Sequence, residues 1–176
     1  VLLFGMSRRL LFPDAIIRCA RFQGTDANRF LDQTEIDEPL PKAVETAISF
    51  IERHTLQGAE IGRVHRTEKP EYPVEAVREA VINAIVHTDY AISGMNIKVA
   101  VFDDRLEITN PGFLPFGLTL DAALSGASKL RNRLIGRVFR ELKLIEQWGT
   151  GLNRMISACK AQGLQPPLFE EIGATF

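Results

Sequence analysis

Cysteine, histidine and the large aromatics are scarce in this chain. Its 176 residues hold two Cys, three His, one Trp and two Tyr. Cys19 and Cys159 lie far apart and form no C-x-x-C pair, which argues against a disulfide framework or a redox dithiol and reads as two reduced structural thiols of a cytoplasmic protein. No His/Cys group has zinc-ligand spacing. No apolar run approaches the roughly 18 residues a spanning helix needs, and there is no signal-peptide pattern, so no membrane partner is expected. An excess of charge of one sign is also missing. Lys and Arg total 21 against 22 Asp and Glu, giving a formal net charge of −1 and a sequence pI of about 6.4. Any attraction to nucleic acid must therefore come from a local patch. The chain contains no G-x-x-x-x-G-K-[ST] phosphate loop, so a true helicase is not expected. Neither an internal repeat nor a low-complexity segment is present. The chain opens at Val1 without an initiator Met, and the expectation is a piece of a longer protein.

What is present is an ordinary globular composition, 45% hydrophobic and 24% charged, enough for one large domain or two small ones. Residues 15–22 read as a strand closed by Gly24-Thr25-Asp26. Residues 27–40 are polar and acidic and read as a connection. A helix is expected from Pro41 to about Thr55, with Val44, Ala47, Ile48 and Ile51 as its core stripe. Residues 56–73 look irregular. Residues 96–102 and 105–109 alternate on either side of Asp103-Asp104 and predict a β-hairpin. After the Pro- and Gly-rich 110–117, weak helix is expected at 119–127. Stronger helix is expected at 130–144, with Leu134, Ile135, Val138 and Leu142 inward, and at 152–162, capped by Gly163.

The most informative stretch is Glu79–His87, a helix apolar on nearly every side. Glu79, Asn83 and His87 sit four residues apart and draw one polar stripe along it. Polar groups on a buried helix need partners. An amide oxygen such as that of Asn83 suits Mg²⁺, a hard cation, and a carboxylate one turn earlier suits the orientation of a water. A stripe satisfied by neighbouring strands would give the same pattern. Thr109-Asn110-Pro111-Gly112, at a strand end, places an amide and a glycine where a base edge could be met, or makes a plain turn. Gly149-Thr150-Gly151, before a helix, offers backbone N–H groups to a phosphate, or makes a tight helix–helix turn. Between residues 129 and 143, six basic residues stand against Glu141; they read as a phosphate- or nucleic-acid-binding patch, or as a solvated helix face.

The order of these motifs adds to each of them. The run Glu71–Tyr90, then Phe102-Asp-Asp-Arg-Leu-Glu-Ile-Thr-Asn-Pro-Gly112, then Trp148-Gly-Thr-Gly-Leu152 resembles the GHKL, or Bergerat-fold, ATP-binding domain. The closer likeness is to a divergent branch labelled "RecG-like helicase" or transcriptional regulator, in which a Schlafen/AlbA-type domain precedes the ATPase-like domain and a winged helix follows. The resemblance spans Glu71 to Leu168. It implies an α/β fold, a two-layer α/β sandwich of the histidine-kinase-ATPase type with a partial smaller α/β unit at its N-terminus. Residues 1–40 would be the end of the AlbA-type domain and a linker, and residues 41–176 the ATP-binding domain.

The resemblance also implies site roles. Glu79 would be the general base and Asn83 the Mg²⁺ ligand. His87, Asn110, Gly112, Lys129, Arg131, Gly149, Thr150 and Gly151 would surround ATP, with residues 113–130 as its lid. Asn110 stands where the wider superfamily has an Asp for adenine, and the second glycine of that box is absent. The expected function is a Mg²⁺-ATP-binding regulatory module of a bacterial DNA-binding transcriptional regulator. Hydrolysis would be slow or absent, DNA would be bound by domains outside these residues, and a homodimer is one assembly it suits. The alternative is a degenerate ATPase-fold scaffold for dimerisation or domain positioning.

Overall fold

A computed structural model describes residues 1–5, 8–55, 57–61, 66–145 and 150–176. In chain order the elements are α1 (Arg8–Leu11), β1 (Ile17–Phe22), β2 (Phe30–Ile36), α2 (Leu40–His54), β3 (Gln57–Ile61), β4 (Arg66–Pro70), α3 (Val74–His87), β5 (Ile97–Val101), β6 (Leu106–Thr109), α4 (Leu120–Leu124), α5 (Arg133–Glu141) and α6 (Gly151–Ala161). Four strands make a mixed sheet in the order β2-β1-β5-β6. β1 runs parallel to β5, with Ile17 beside Ile97 and Arg21 beside Val101. The outer pairs β1–β2 and β5–β6 are antiparallel. The chain is an α/β sandwich of the ATPase type, as the resemblance implies.

Period-2 burial sets the inner face of the sheet. Ile17, Cys19, Ile97, Val99 and Val101 are buried, and they share one core with Val44, Ala47 and Ile51 of α2 and Val81, Ile82 and Ile85 of α3. Helix α2 carries its apolar residues at helical spacing from Leu40 to Ile51 and begins with Pro at its first turn. A second, smaller cluster joins Ala76 of α3 to Met155 and Cys159 of α6. Both thiols are buried and free. Burial pushes the Cys19 thiol up to about 12 and raises that of Cys159 as well, so neither is a thiolate nucleophile at neutral pH. Among the described residues no helix is long and apolar enough to cross a membrane.

In the N-terminal 40 residues, β1 lies between β2 and β5, inside the main sheet. The supposed connection contains β2, whose residues are exposed at most positions. An edge strand with little to bury has no apolar alternation to announce it. The stretch read as irregular, 56–73, contains the β3–β4 hairpin. Buried Arg8 ties α1 to the start of α2 through Asp37 and the Glu38 carbonyl.

The inner face of α5 also differs from expectation. Ile135, Gly136 and Phe139 are buried, whereas Leu134 and Leu142 are exposed. Apolar residues at 134, 135, 138, 139 and 142 permit two rotations of the helix, and the one that buries the largest side chain, Phe139, prevails.

Candidate functional site

The site is built on α3. Its buried face is apolar, and the side bearing Glu79, Asn83 and His87 is half-buried. Asn83 Nδ2 donates to Glu79 Oε1 at 3.2 Å. The stripe faces a cavity of about 660 Å³ lined by α3, β6, the 113–130 segment and the start of α6, a volume within the range of small-molecule and cofactor sites.

The end of α3 is held by side chains. Thr88 Oγ1 donates to the Ala84 carbonyl, Tyr90 Oη to that of Ile85, and Asn132 Nδ2 to those of Val86 and Thr88 at 2.8 and 2.7 Å. The last carbonyls of a helix have no partner within it, and here three other side chains supply one. The position of His87 is fixed as a result. Burial, and then the positive charge of Arg131, hold its pKa below the usual value, so the ring is neutral at neutral pH.

A stability effect of known sign follows. The unfolded chain protonates His87 before the folded chain does, so the stabilisation is complete above the ordinary histidine pKa of about 6.5 and drains away as pH falls toward the lowered folded value. Urea midpoints measured between pH 7.5 and 5.5 should fall more steeply for the native chain than for His87→Gln. Parallel slopes would remove His87 as the cause.

Beside the polar stripe of α3, Gly151 opens α6. Its backbone conformation is ordinary, and what it needs is space: a Cβ there would lie 2.2 Å from Glu79 Oε1 and 3.2 Å from Asn83 Nδ2. Thr150 precedes it, and no side chain caps the first turn of α6 among the described residues, so backbone N–H groups at that turn remain for an anion. Asn110, at the end of β6, is buried. Its backbone N–H and C=O both pair with Phe176, and its Nδ2 donates to the Pro111 carbonyl at 3.3 Å.

The cavity wall thus brings together Glu79, Asn83, His87, Asn110, Lys129, Thr150 and Gly151. Gly112 and Arg131 stand behind it. Gly112 has φ +97 and no room for a Cβ, with Asp89 Cβ at 2.8 Å. Arg131 donates to Asp89 Oδ2 at 3.1 Å and to the Phe113 carbonyl at 2.5 Å, while Lys129 holds the Phe116 carbonyl at 2.6 Å. Both cations therefore fasten the 113–116 stretch. Gly149 lies outside the described residues. Asn132 was not singled out from sequence. Its place just before a helix marks a cap, yet its side chain turns to α3 instead.

Residues 94–176 match the family described as "Putative ATP-dependent DNA helicase recG C-terminal", an HATPase-like domain. The match covers β5, β6, the 113–130 segment, α5 and α6, but not α3. Among solved structures the chain is similar to the DIP2311 protein from Corynebacterium diphtheriae, at 27% identity and a TM-score of 0.81. That alignment covers 95% of this chain and 35% of the other, so the chain spans about a third of that protein's length. No curated protein matches it.

Proposed function

We propose that this chain is a Mg²⁺-ATP-binding regulatory module with slow or no hydrolysis. The observation that carries the reading is the close approach of Gly151 to Glu79 and Asn83 at the wall of a nucleotide-sized cavity. A side chain there would displace the Glu79 carboxylate, and the glycine brings the uncapped start of a helix to a carboxylate and an amide. The donors suit the group they would hold. Asn83 directs its N–H toward Glu79, which leaves Oδ1, a hard oxygen, for Mg²⁺. One protein oxygen is enough for a cation that completes its shell with water and phosphate oxygens. Bound Mg²⁺ would supply charge neutralisation at the phosphates.

The chain's own groups then have distinct tasks. Backbone N–H groups near Thr150 and Gly151 hold phosphate oxygens. Asn110 meets the base edge, and His87 closes one end of the cavity. Glu79 receives the Asn83 N–H on one carboxylate oxygen, and the other is the base that orients a water. The resemblance alone supports placing the module in a cytoplasmic, DNA-binding transcriptional regulator that contacts DNA through other domains and can form a homodimer. Helicase activity is not part of the proposal, because the chain has no phosphate loop of that kind.

A specific observation favours a second reading. Lys129 and Arg131, the cations next to the lid, are already committed to the carbonyls of Phe116 and Phe113, as in a scaffold that has lost its nucleotide. Calorimetric titration of a non-hydrolysable ATP analogue with Mg²⁺ separates the two. Micromolar binding, weakened by about 10-fold or more in Asn83→Ala, is expected from loss of one ligand to a charged group. No heat from the native chain would leave the scaffold.

A further inference from the structure

The basic segment between residues 129 and 143 does not act as one patch in the folded chain. Arg133 and Arg137 are exposed and lie off the cavity wall. Lys129 and Arg131 are bound to backbone carbonyls and Asp89. Arg131 and Arg140 each have a buried Nε with no hydrogen-bond partner among the described residues, and of the two only Arg140 lines the cavity.

Its position follows from how α5 is pinned. At one end Asn132 donates to the Val86 and Thr88 carbonyls. At the other, Arg78 Nη2 reaches the Lys143 carbonyl at 3.5 Å. The segment 132–143 therefore runs antiparallel to α3, and Arg140 is carried toward the Glu79 end of that helix. It shares the cavity wall with Glu79, Asn83 and Gly151.

A guanidinium N–H withdrawn from water without an acceptor is an unfavourable arrangement that proteins rarely keep without a use. An anion in the cavity would supply the acceptor once the side chain turned toward it. The planar fork of arginine suits two oxygens of one phosphate better than an ammonium does. We infer that Arg140 is the anion-binding residue of this cavity and takes the terminal phosphate oxygens of a polyphosphate ligand. The inference rests on the nucleotide reading for the identity of the rest of that ligand, and the test keeps the two apart.

The test measures the thermal midpoint of the 176-residue chain with inorganic tripolyphosphate, with Mg²⁺ and the ATP analogue, and with adenosine, in the native chain, Arg140→Met and Arg140→Lys. Tripolyphosphate and the analogue should raise the native midpoint. In Arg140→Met both shifts should vanish, with analogue affinity reduced about 10- to 100-fold, the scale of a charge-assisted contact. Any adenosine shift should be unchanged. Arg140→Lys, which keeps the charge but not the fork, should retain a smaller shift and serves if the Met variant folds poorly. Without ligand, Arg140→Met should melt no lower than the native chain. A tripolyphosphate shift lost in Arg140→Met, with no analogue binding, would uphold the anion site and overturn the nucleotide. Equal shifts in native and Arg140→Met protein, or no tripolyphosphate shift in the native chain, would overturn the inference.

Discussion

Gly151→Val should abolish nucleotide binding while leaving the fold largely intact. The added Cβ would fall 2.2 Å from Glu79 Oε1 and 3.0 Å from Glu79 Cδ, so the carboxylate must move. Its tip is the far end of a flexible side chain, and moving it costs little stability, on the order of 1 kcal/mol. The displaced Glu79 loses the hydrogen bond from Asn83, and a branched side chain then occupies the approach to the first turn of α6. The affinity for the ATP analogue should fall by at least about 100-fold, equivalent to about 2.7 kcal/mol. Calorimetry measures the affinity and urea unfolding the stability. A coupling test accompanies them: Glu79→Ala removes the atoms that the new valine side chain strikes, so the double variant should be more stable than the sum of the single effects requires. Unchanged affinity in Gly151→Val, or strict additivity with Glu79→Ala, would show that Gly151 does not set this site.

Phe139→Ala should destabilise the fold more than any of the other substitutions. Phe139 is fully buried in the core that also contains Ile82, Ile85 and Val86, with Leu130, Val138 and Leu144 packed around it. Removing a buried Phe side chain costs about 3–5 kcal/mol in transfer energy and cavity formation. Against the roughly 5–15 kcal/mol that holds a typical domain together, that loss is severe. For a chain of this size each kcal/mol lowers the thermal midpoint by about 2–4 °C. The urea midpoint should drop sharply at constant slope, and Phe139→Leu should recover more than half of the loss. A cost below about 1 kcal/mol, well under the range for a buried Phe, would mean that α5 is not seated on the core. The consequence extends to the cavity wall, because α5 is the element that carries Arg140 to it.

Much of this was legible along the chain. The α3 helix, its polar stripe, the β5–β6 hairpin and α6 with its Gly163 cap could each be read from a few neighbouring residues, because periodicity and capping are local. Gly163 indeed has φ +80 at the end of α6. The candidate site was legible to the extent that its groups share one helix or one turn: Glu79, Asn83 and His87 by their four-residue spacing, and Thr150 and Gly151 by their place before a helix. The positions of Arg131 and Gly112 relative to the cavity were not legible: both pack against Asp89, outside the residues that line it.

The sequence alone determined the α/β class, the apolar α3 with its polar edge, and the glycine at the start of α6, since each follows from spacing and side-chain type within a single element. Tertiary structure decided everything that joins residues distant in sequence. It placed β1 beside β5, pairing Ile17 with Ile97, a parallel arrangement for which no local pattern exists. It turned Asn132 from a cap of its own helix into the clasp on another and spent Lys129 and Arg131 on carbonyls. It left the Nε of both Arg131 and Arg140 buried without an acceptor among the described residues and brought only Arg140 of the two to the cavity wall. Which cation reaches the cavity is settled only when the packed helices fix where each side chain lies, so the sequence could name the cations but not which of them the fold would bring there.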